Sequence, residues 1–187
     1  MQAQSLEGGF ADPALEAASG FRELMECMAR PGRIVEVAGA RPPAPLSPAA
    51  GVVLLLLCDA DTPLHLAGAA DCPEVRSWVG FHCGAPLVPA ADCAFALGDW
   101  AALAPLGRYR AGTPDYPDRS ATLIVELPDL APGGTRLTGP GIAEEARLPL
   151  PDPEALRANA ARFPLGLDVI FTSGTRLAAL PRSTRIG

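Results

Sequence analysis

Two apolar runs with few polar positions predict the central strands of a sheet. One is Ala121–Leu127, and the other follows Gly166 and covers Leu167–Phe171 around a single Asp. Runs that are apolar at consecutive positions and rich in β-branched residues are typical of strands buried on both faces. A shorter run, Leu177–Leu180, comes next, and Pro181 ends it because proline cannot donate a ladder hydrogen bond. We therefore expect the C-terminal segment to be built into the fold.

Apolar positions at helical spacing predict helices around these strands. The first helix is expected to begin with Asp12 as N-cap and to bury one face made of Phe21, Leu24, Met25 and Met28. An Arg-Pro-Gly sequence at 30–32 ends it, since the residue before a proline disfavours helix. Further helices are predicted over 49–58, 71–81, 99–103 and 152–162, with Ser47 and Asp152 as N-caps of the first and last of these. Short strands are predicted over 33–37, 64–66 and 93–97.

Length and charge narrow the function classes. The chain has 187 residues, enough for a single domain over 1–187 with a sizeable core, and 49 % of them are hydrophobic. The formal net charge of −6 makes nucleic acid and an anionic membrane poor partners. No apolar run reaches the roughly 20 residues that span a bilayer. The first nine residues have no basic or apolar signal-peptide region, so we expect a soluble cytoplasmic protein.

The residue inventory excludes two cofactor chemistries. All 15 basic residues are arginine, and the sequence contains no lysine. A pyridoxal-phosphate (PLP) enzyme needs a lysine for its internal Schiff base, and a P-loop needs one on its phosphates. We therefore expect neither chemistry from this chain acting alone, and no cofactor. Five cysteines without paired C-x-x-C spacing predict free thiols rather than a disulfide framework or a zinc finger.

Candidate chemistry is sparse, and each candidate has a structural alternative. The Gly133–Gly141 loop carries Arg136 and could place backbone N–H groups against an anion, but a β-hairpin whose glycines serve turns and bulges explains it without a ligand. The adjacent His82 and Cys83 suggest a thiol or metal site, yet a histidine at a helix C-terminus needs no chemistry. Glu144-Glu145 is expected to be a solvated pair. The candidate anion- or ligand-binding residues are Arg136, Thr138, Gly139, Arg182 and Arg185.

Four stretches of the chain together resemble one family. The C-terminal stretch FPLGLDVIFTSGTRLAALPRSTRI is similar to the C-terminal signature of the H subunit of the bacterial carbon–phosphorus lyase system (PhnH), and FRELMECMARPGRIVEV is similar to the opening of that family. The other two stretches cover 81–88 and 135–147. They follow one another in the family's order and span most of the chain.

This resemblance implies a fold, a function and partners. The fold is α/β, a three-layer α/β/α domain related to the PLP-dependent transferases but without PLP. The function is membership in the carbon–phosphorus lyase core complex, which uses ATP and methylphosphonate to form α-D-ribose 1-methylphosphonate 5-triphosphate in phosphonate utilisation. The implied partners are the G, I and J subunits, with a homodimer when the protein is isolated.

Within that system the chain is expected to be a non-catalytic assembly or ligand-binding subunit, because the sequence offers no nucleophile beside a base and no paired carboxylates on one face. The alternative is a stand-alone phosphate-ester or nucleotide-binding enzyme that uses the Gly133–Gly141 loop.

Overall fold

The computed structural model describes residues 7–187 and shows a mixed α/β domain. The helices are α1 (Pro13–Ala29), α2 (Pro48–Leu57), α3 (Pro73–His82), α4 (Trp100–Leu103) and α5 (Pro153–Ala160). The strands are β1 (Ile34–Glu36), β2 (Leu64–Leu66), β3 (Phe95–Asp99), β4 (Thr122–Glu126), β5 (Thr135–Thr138), β6 (Ala146–Leu148), β7 (Asp168–Ser173), β8 (Arg176–Leu180) and β9 (Arg185–Ile186). Most of the N-terminal sequence considered for a signal peptide lies outside the described residues.

Six strands form the main sheet, in the order β1-β8-β7-β4-β3-β2. Strands β2, β3, β4 and β7 run parallel, while β8 is antiparallel to β7 and to β1. The two long apolar runs of the sequence are β4 and β7, and they lie next to each other in the middle of the sheet, which confirms the prediction for both. A second, antiparallel sheet has the order β6-β5-β9, so the C-terminal segment is part of the fold as expected.

The main sheet is covered on both faces. On one face Ile124 of β4 and Ile170 of β7 pack in a core with α1, α2 and α3. On the other face Leu123 and Phe171 pack in a core that includes α4, α5 and the small sheet. Side chains of a strand point alternately to opposite faces, so a strand buried on both sides must be apolar at successive positions.

Helix starts follow the predicted capping chemistry. The side chains of Asp12, Ser47, Asp99 and Asp152 each accept a hydrogen bond from the backbone N–H three residues later, at the starts of α1, α2, α4 and α5. Helix α3 differs from the prediction, because its N-cap is Cys72, which makes no capping hydrogen bond through its side chain.

The predicted apolar face of α1 is partly wrong. Leu24 is buried, but Phe21 is 47 % and Met25 is 50 % exposed. The buried face runs instead through Gly20, Leu24 and Cys27. A Cβ atom at Gly20 would lie 3.3 Å from side-chain atoms of α2. The helix therefore lies close against α2 at a position that has no side chain, and this orientation leaves two large apolar residues at the surface.

Other element boundaries also differ from the sequence prediction. Strand β3 starts two residues later than expected, and α5 ends at Ala160 rather than at Arg162. The irregular stretch Pro105–Arg119 contains two single-turn 3₁₀ helices, and its Tyr109 is only 5 % exposed. That part of the loop is therefore packed against the core.

Among residues 7–187, no helix has the length and apolar character needed to cross a membrane.

Candidate functional site

The small sheet brings three of the five predicted ligand-binding residues to one surface. On β5, Arg136 and Thr138 flank the buried Leu137, so they share the opposite, outer face. Arg185 of β9 pairs with Thr138 across the ladder, and it is exposed. Residues opposite each other in a sheet project to the same side. Arg136, Thr138 and Arg185 therefore lie on the outer face of the small sheet, and Gly139 follows directly after β5.

The charges on this face are only partly balanced. Arg136 and Arg147 lie opposite each other on β5 and β6, which by itself is repulsive. Glu145 accepts hydrogen bonds from both guanidinium groups, at 2.7 Å from Arg136 and 3.2 Å from Arg147. The hydrogen bond from Arg136, followed by that from Arg147, holds the pKa of Glu145 below its usual value. With Arg185, the face carries three guanidinium groups, of which two share the carboxylate of Glu145, so the face can attract an anion.

Arg182 occupies a different environment. Its Nη2 lies 2.6 Å from Oδ2 of Asp168, and its backbone N–H donates to Oδ1 at 2.8 Å. Its Nη1 donates to the carbonyl of Pro117 at 2.7 Å. Both side chains of the ion pair are mostly buried, at 14 % and 18 % exposed. The guanidinium group of Arg182 thus joins β7, the segment after β8 and the 117–119 turn, and it is already neutralised.

Packing accounts for some of the glycines in the Gly133–Gly141 loop. Gly141 has φ +78°, and a Cβ atom there would overlap the carbonyl oxygen of Ala29 at the end of α1. Gly134 has φ +93°, and a Cβ atom there would lie 2.6 Å from the carbonyl oxygen of Leu148. Strand β5 between them pairs with β6 in antiparallel register, which is the hairpin geometry of the structural alternative. Here glycine is needed for backbone conformation and close approach.

Sequence reasoning did not single out Glu126, a carboxylate at the carboxyl end of the parallel strands. Ligands of open α/β sheets usually bind at this edge. One oxygen of Glu126 accepts the backbone N–H of Ser47 at 2.6 Å, and the other accepts the hydroxyl of Thr172 at 3.0 Å. Burial raises the pKa of Glu126, and these hydrogen bonds oppose that effect. Both oxygens are occupied, so the carboxylate joins the start of α2 to β4 and β7. The signal in the sequence is an acid that ends an apolar strand.

The cysteine environments do not favour a nucleophile. Desolvation by burial raises the pKa of Cys27 and Cys58 to about 12, and that of Cys83 and Cys93 to about 11. A thiol becomes a good nucleophile when its pKa is lowered. The ring of His82 interacts with the carbonyl of Glu7 at 3.1 Å, while the Cys83 thiol donates to the carbonyl of Leu54. Within residues 7–187 no cluster of three or more His, Cys, Asp and Glu side chains is arranged to hold a metal.

Comparison with known proteins gives a consistent result. The model of the family described as "Bacterial phosphonate metabolism protein (PhnH)" matches residues 8–187. A protein of Rhizobium meliloti (strain 1021), named "Alpha-D-ribose 1-methylphosphonate 5-triphosphate synthase subunit PhnH", is 43 % identical over 195 aligned residues, which cover 99 % of this chain and 97 % of the relative. A protein of Stutzerimonas stutzeri, named "Putative C-P lyase subunit protein HtxG", is 33 % identical over 184 residues, or 90 % of this chain and 84 % of the relative.

Proposed function

Because this chain belongs to the family of bacterial phosphonate metabolism proteins (PhnH), we propose that it is the H subunit of a carbon–phosphorus lyase complex. The complex acts in phosphonate utilisation and forms α-D-ribose 1-methylphosphonate 5-triphosphate. The observation that carries this proposal is the 43 % identity to the Rhizobium meliloti synthase subunit over nearly the full length of both chains.

Within the complex the chain is proposed to assemble subunits or bind a ligand rather than to perform the chemistry. The raised thiol pKa values support this role, because they keep Cys27, Cys58, Cys83 and Cys93 in the unreactive thiol form at neutral pH. The engagement of the Glu126 carboxylate and of the Arg182 guanidinium by protein groups also supports it. Of the predicted set, the proposed ligand-contacting residues are Arg136, Thr138, Gly139 and Arg185, because the guanidinium group of Arg182 is already engaged by Asp168 and Pro117.

The partners are proposed to be the G, I and J subunits, and the isolated protein is proposed to form a homodimer in the cytoplasm. Helix α1 is a proposed contact surface, because Leu15 is 71 % exposed and Phe21 and Met25 are about half exposed on the same helix. The loop Pro105–Arg119 is the other proposed contact.

The test of assembly is co-expression of the four subunits. We expect one co-purifying particle, whereas light scattering of the isolated protein should give about twice 19.3 kDa. The variant Phe21→Asp places a charge on the proposed α1 surface, and Arg22→Asp alters the neighbouring exposed position as a matched control. A monomer that does not co-purify with the G, I and J subunits would refute the proposal.

The fold is proposed to be a PLP-dependent transferase fold that has lost its cofactor. The absence of lysine from the sequence supports this, because no side chain can form the internal aldimine. Incubation with PLP should give no aldimine absorbance and no side-chain adduct after borohydride reduction. A stoichiometric adduct on an internal residue would contradict it.

A further inference from the structure

A cleft lies between the end of α5 and strand β9, and Arg185 is the only ligand-contacting residue proposed above that lines it. Its volume is about 380 Å³, within the size range of pockets for small organic ligands. The lining residues that matter for its chemistry are Arg157, Ala160, Ala161, Phe163, Thr184 and Arg185.

One wall of the cleft is apolar and carries an exposed aromatic ring. Phe163 is 61 % exposed, and Ala160 and Ala161 extend the apolar wall from the end of α5. An aromatic face of this kind can stack on a planar ring, and base–aromatic stacking is a common way of holding nucleotides.

The other wall is cationic. Although the chain has a formal net charge of −6, the residues lining this cleft include two arginines and no acid. Arg157 donates from Nε to the carbonyl of Ile186 and from Nη2 to that of Gly187, both at 3.1 Å, and so fixes β9 beside the helix. Arg185 projects from that strand and is exposed. Guanidinium groups bind phosphate oxygens in bidentate fashion.

A buried hydroxyl group adjoins the cationic wall. Thr184 is only 1 % exposed, and its Oγ1 atom has no hydrogen-bond partner among residues 7–187. Most buried polar atoms are hydrogen-bonded, so an unsatisfied hydroxyl at the wall of a cleft marks a place for a further polar group.

We propose that this cleft binds a nucleoside phosphate, with the base against Phe163 and the phosphate groups against Arg185 and Thr184. The apolar wall is larger than a phosphate or a methylphosphonate can cover, and the cationic wall favours an anion. A nucleoside phosphate satisfies both requirements. The inference is independent of membership in the complex, since it concerns the isolated chain.

The test is isothermal titration calorimetry of the isolated full-length protein with ATP in the presence of EDTA. Adenosine, ribose 5-phosphate and pyrophosphate serve as probes of the parts. ATP should bind more tightly than any of them. Arg185→Met should weaken the binding of ATP and of pyrophosphate by about tenfold or more, because it removes hydrogen bonds to charged groups, and should leave the affinity for adenosine unchanged. Phe163→Ala should weaken the binding of ATP and of adenosine by about tenfold and leave the affinity for pyrophosphate unchanged.

Two further variants keep the test independent of folding. Thr184→Val retains the side-chain shape and removes no hydrogen bond within the described protein, so it should fold normally and still weaken ATP and pyrophosphate. Arg22→Met removes an exposed charge on α1 and should change nothing. Failure to bind ATP up to about 1 mM, or equal ATP affinity of wild type, Arg185→Met and Phe163→Ala, would overturn the proposal. Co-purification of Arg185→Met with the other subunits, measured in parallel, reports separately on assembly.

Discussion

Removal of the Arg182 guanidinium should destabilise the protein more than the loss of an ordinary surface ion pair. In Arg182→Met, Asp168 keeps the hydrogen bond from the backbone N–H of residue 182 but loses two contacts from the guanidinium group. The carbonyl of Pro117 loses its donor as well. The carboxylate is left with little access to water, because it is only 18 % exposed.

The expected magnitude follows from that burial. Breaking a fully buried ion pair by removing one partner costs about 3–5 kcal/mol, and the residual solvent access here reduces the expectation to about 2–4 kcal/mol. In a domain of 187 residues this corresponds to a fall in Tm of about 4–16 °C. Urea unfolding followed by circular dichroism measures the free energy of unfolding, and the m-value should not change.

The matched control is Arg30→Met, which removes a guanidinium 2.8 Å from Glu26 in a pair whose side chains are 61 % and 35 % exposed. Its expected cost is about 0–1 kcal/mol. A double-mutant cycle with Asp168→Asn should give a coupling energy of about 1 kcal/mol or more between positions 168 and 182. If Arg182→Met costs no more than Arg30→Met, the reasoning from burial is refuted.

Three other outcomes are expected. Gly141→Ala should lower the free energy of unfolding by about 1–3 kcal/mol from backbone strain alone. Gly107→Ala is the control and should be nearly neutral, because a Cβ atom there meets nothing within 4 Å. Equal effects of the two substitutions would contradict the packing role of Gly141. Because burial raises the folded-state pKa of Glu126 above 4.5, the native state binds more protons than the unfolded state just above pH 4.5, so this group makes stability fall as pH rises through the folded pKa. Glu126→Gln should remove that contribution, and an unchanged pH profile of unfolding would count against it. Thiol titration after denaturation should find five free cysteines. In the native protein, alkylation at pH 8 should be slow for the four thiols whose pKa is raised. A stable intramolecular disulfide, or rapid alkylation of Cys27 or Cys58, would be inconsistent with the burial of these thiols.

Local patterns in the sequence determined the central strands and most helix starts. Strands β4 and β7 were predictable because residues buried on both faces are apolar at consecutive positions, whatever lies against them. The N-caps Asp12, Ser47 and Asp152 were predictable because capping is a contact across three residues. The family could also be recognised at this level, since four stretches carry its pattern in order.

The orientation of α1 depended on the tertiary structure. The periodicity of the helix allows two overlapping apolar faces, and only the close approach at Gly20 to α2 selects the one through Leu24 and Cys27. A glycine has no apolar side chain, so a pattern of hydrophobic residues does not register it as a contact position.

At the candidate site, too, some features follow from the sequence and others depend on the tertiary structure. The sequence by itself determined which residue types are present: arginine as the only strong cation, no lysine, and Arg182 and Arg185 three positions apart. Only the tertiary structure decided their surroundings. Asp168 and Pro117 reach Arg182 from other parts of the chain. Pairing of β9 with β5 places Arg185 on the outer face of the small sheet and beside the cleft that contains Phe163. Whether a charge is neutralised or free to meet a ligand depends on partners 14 and 65 residues away, and no local pattern encodes them.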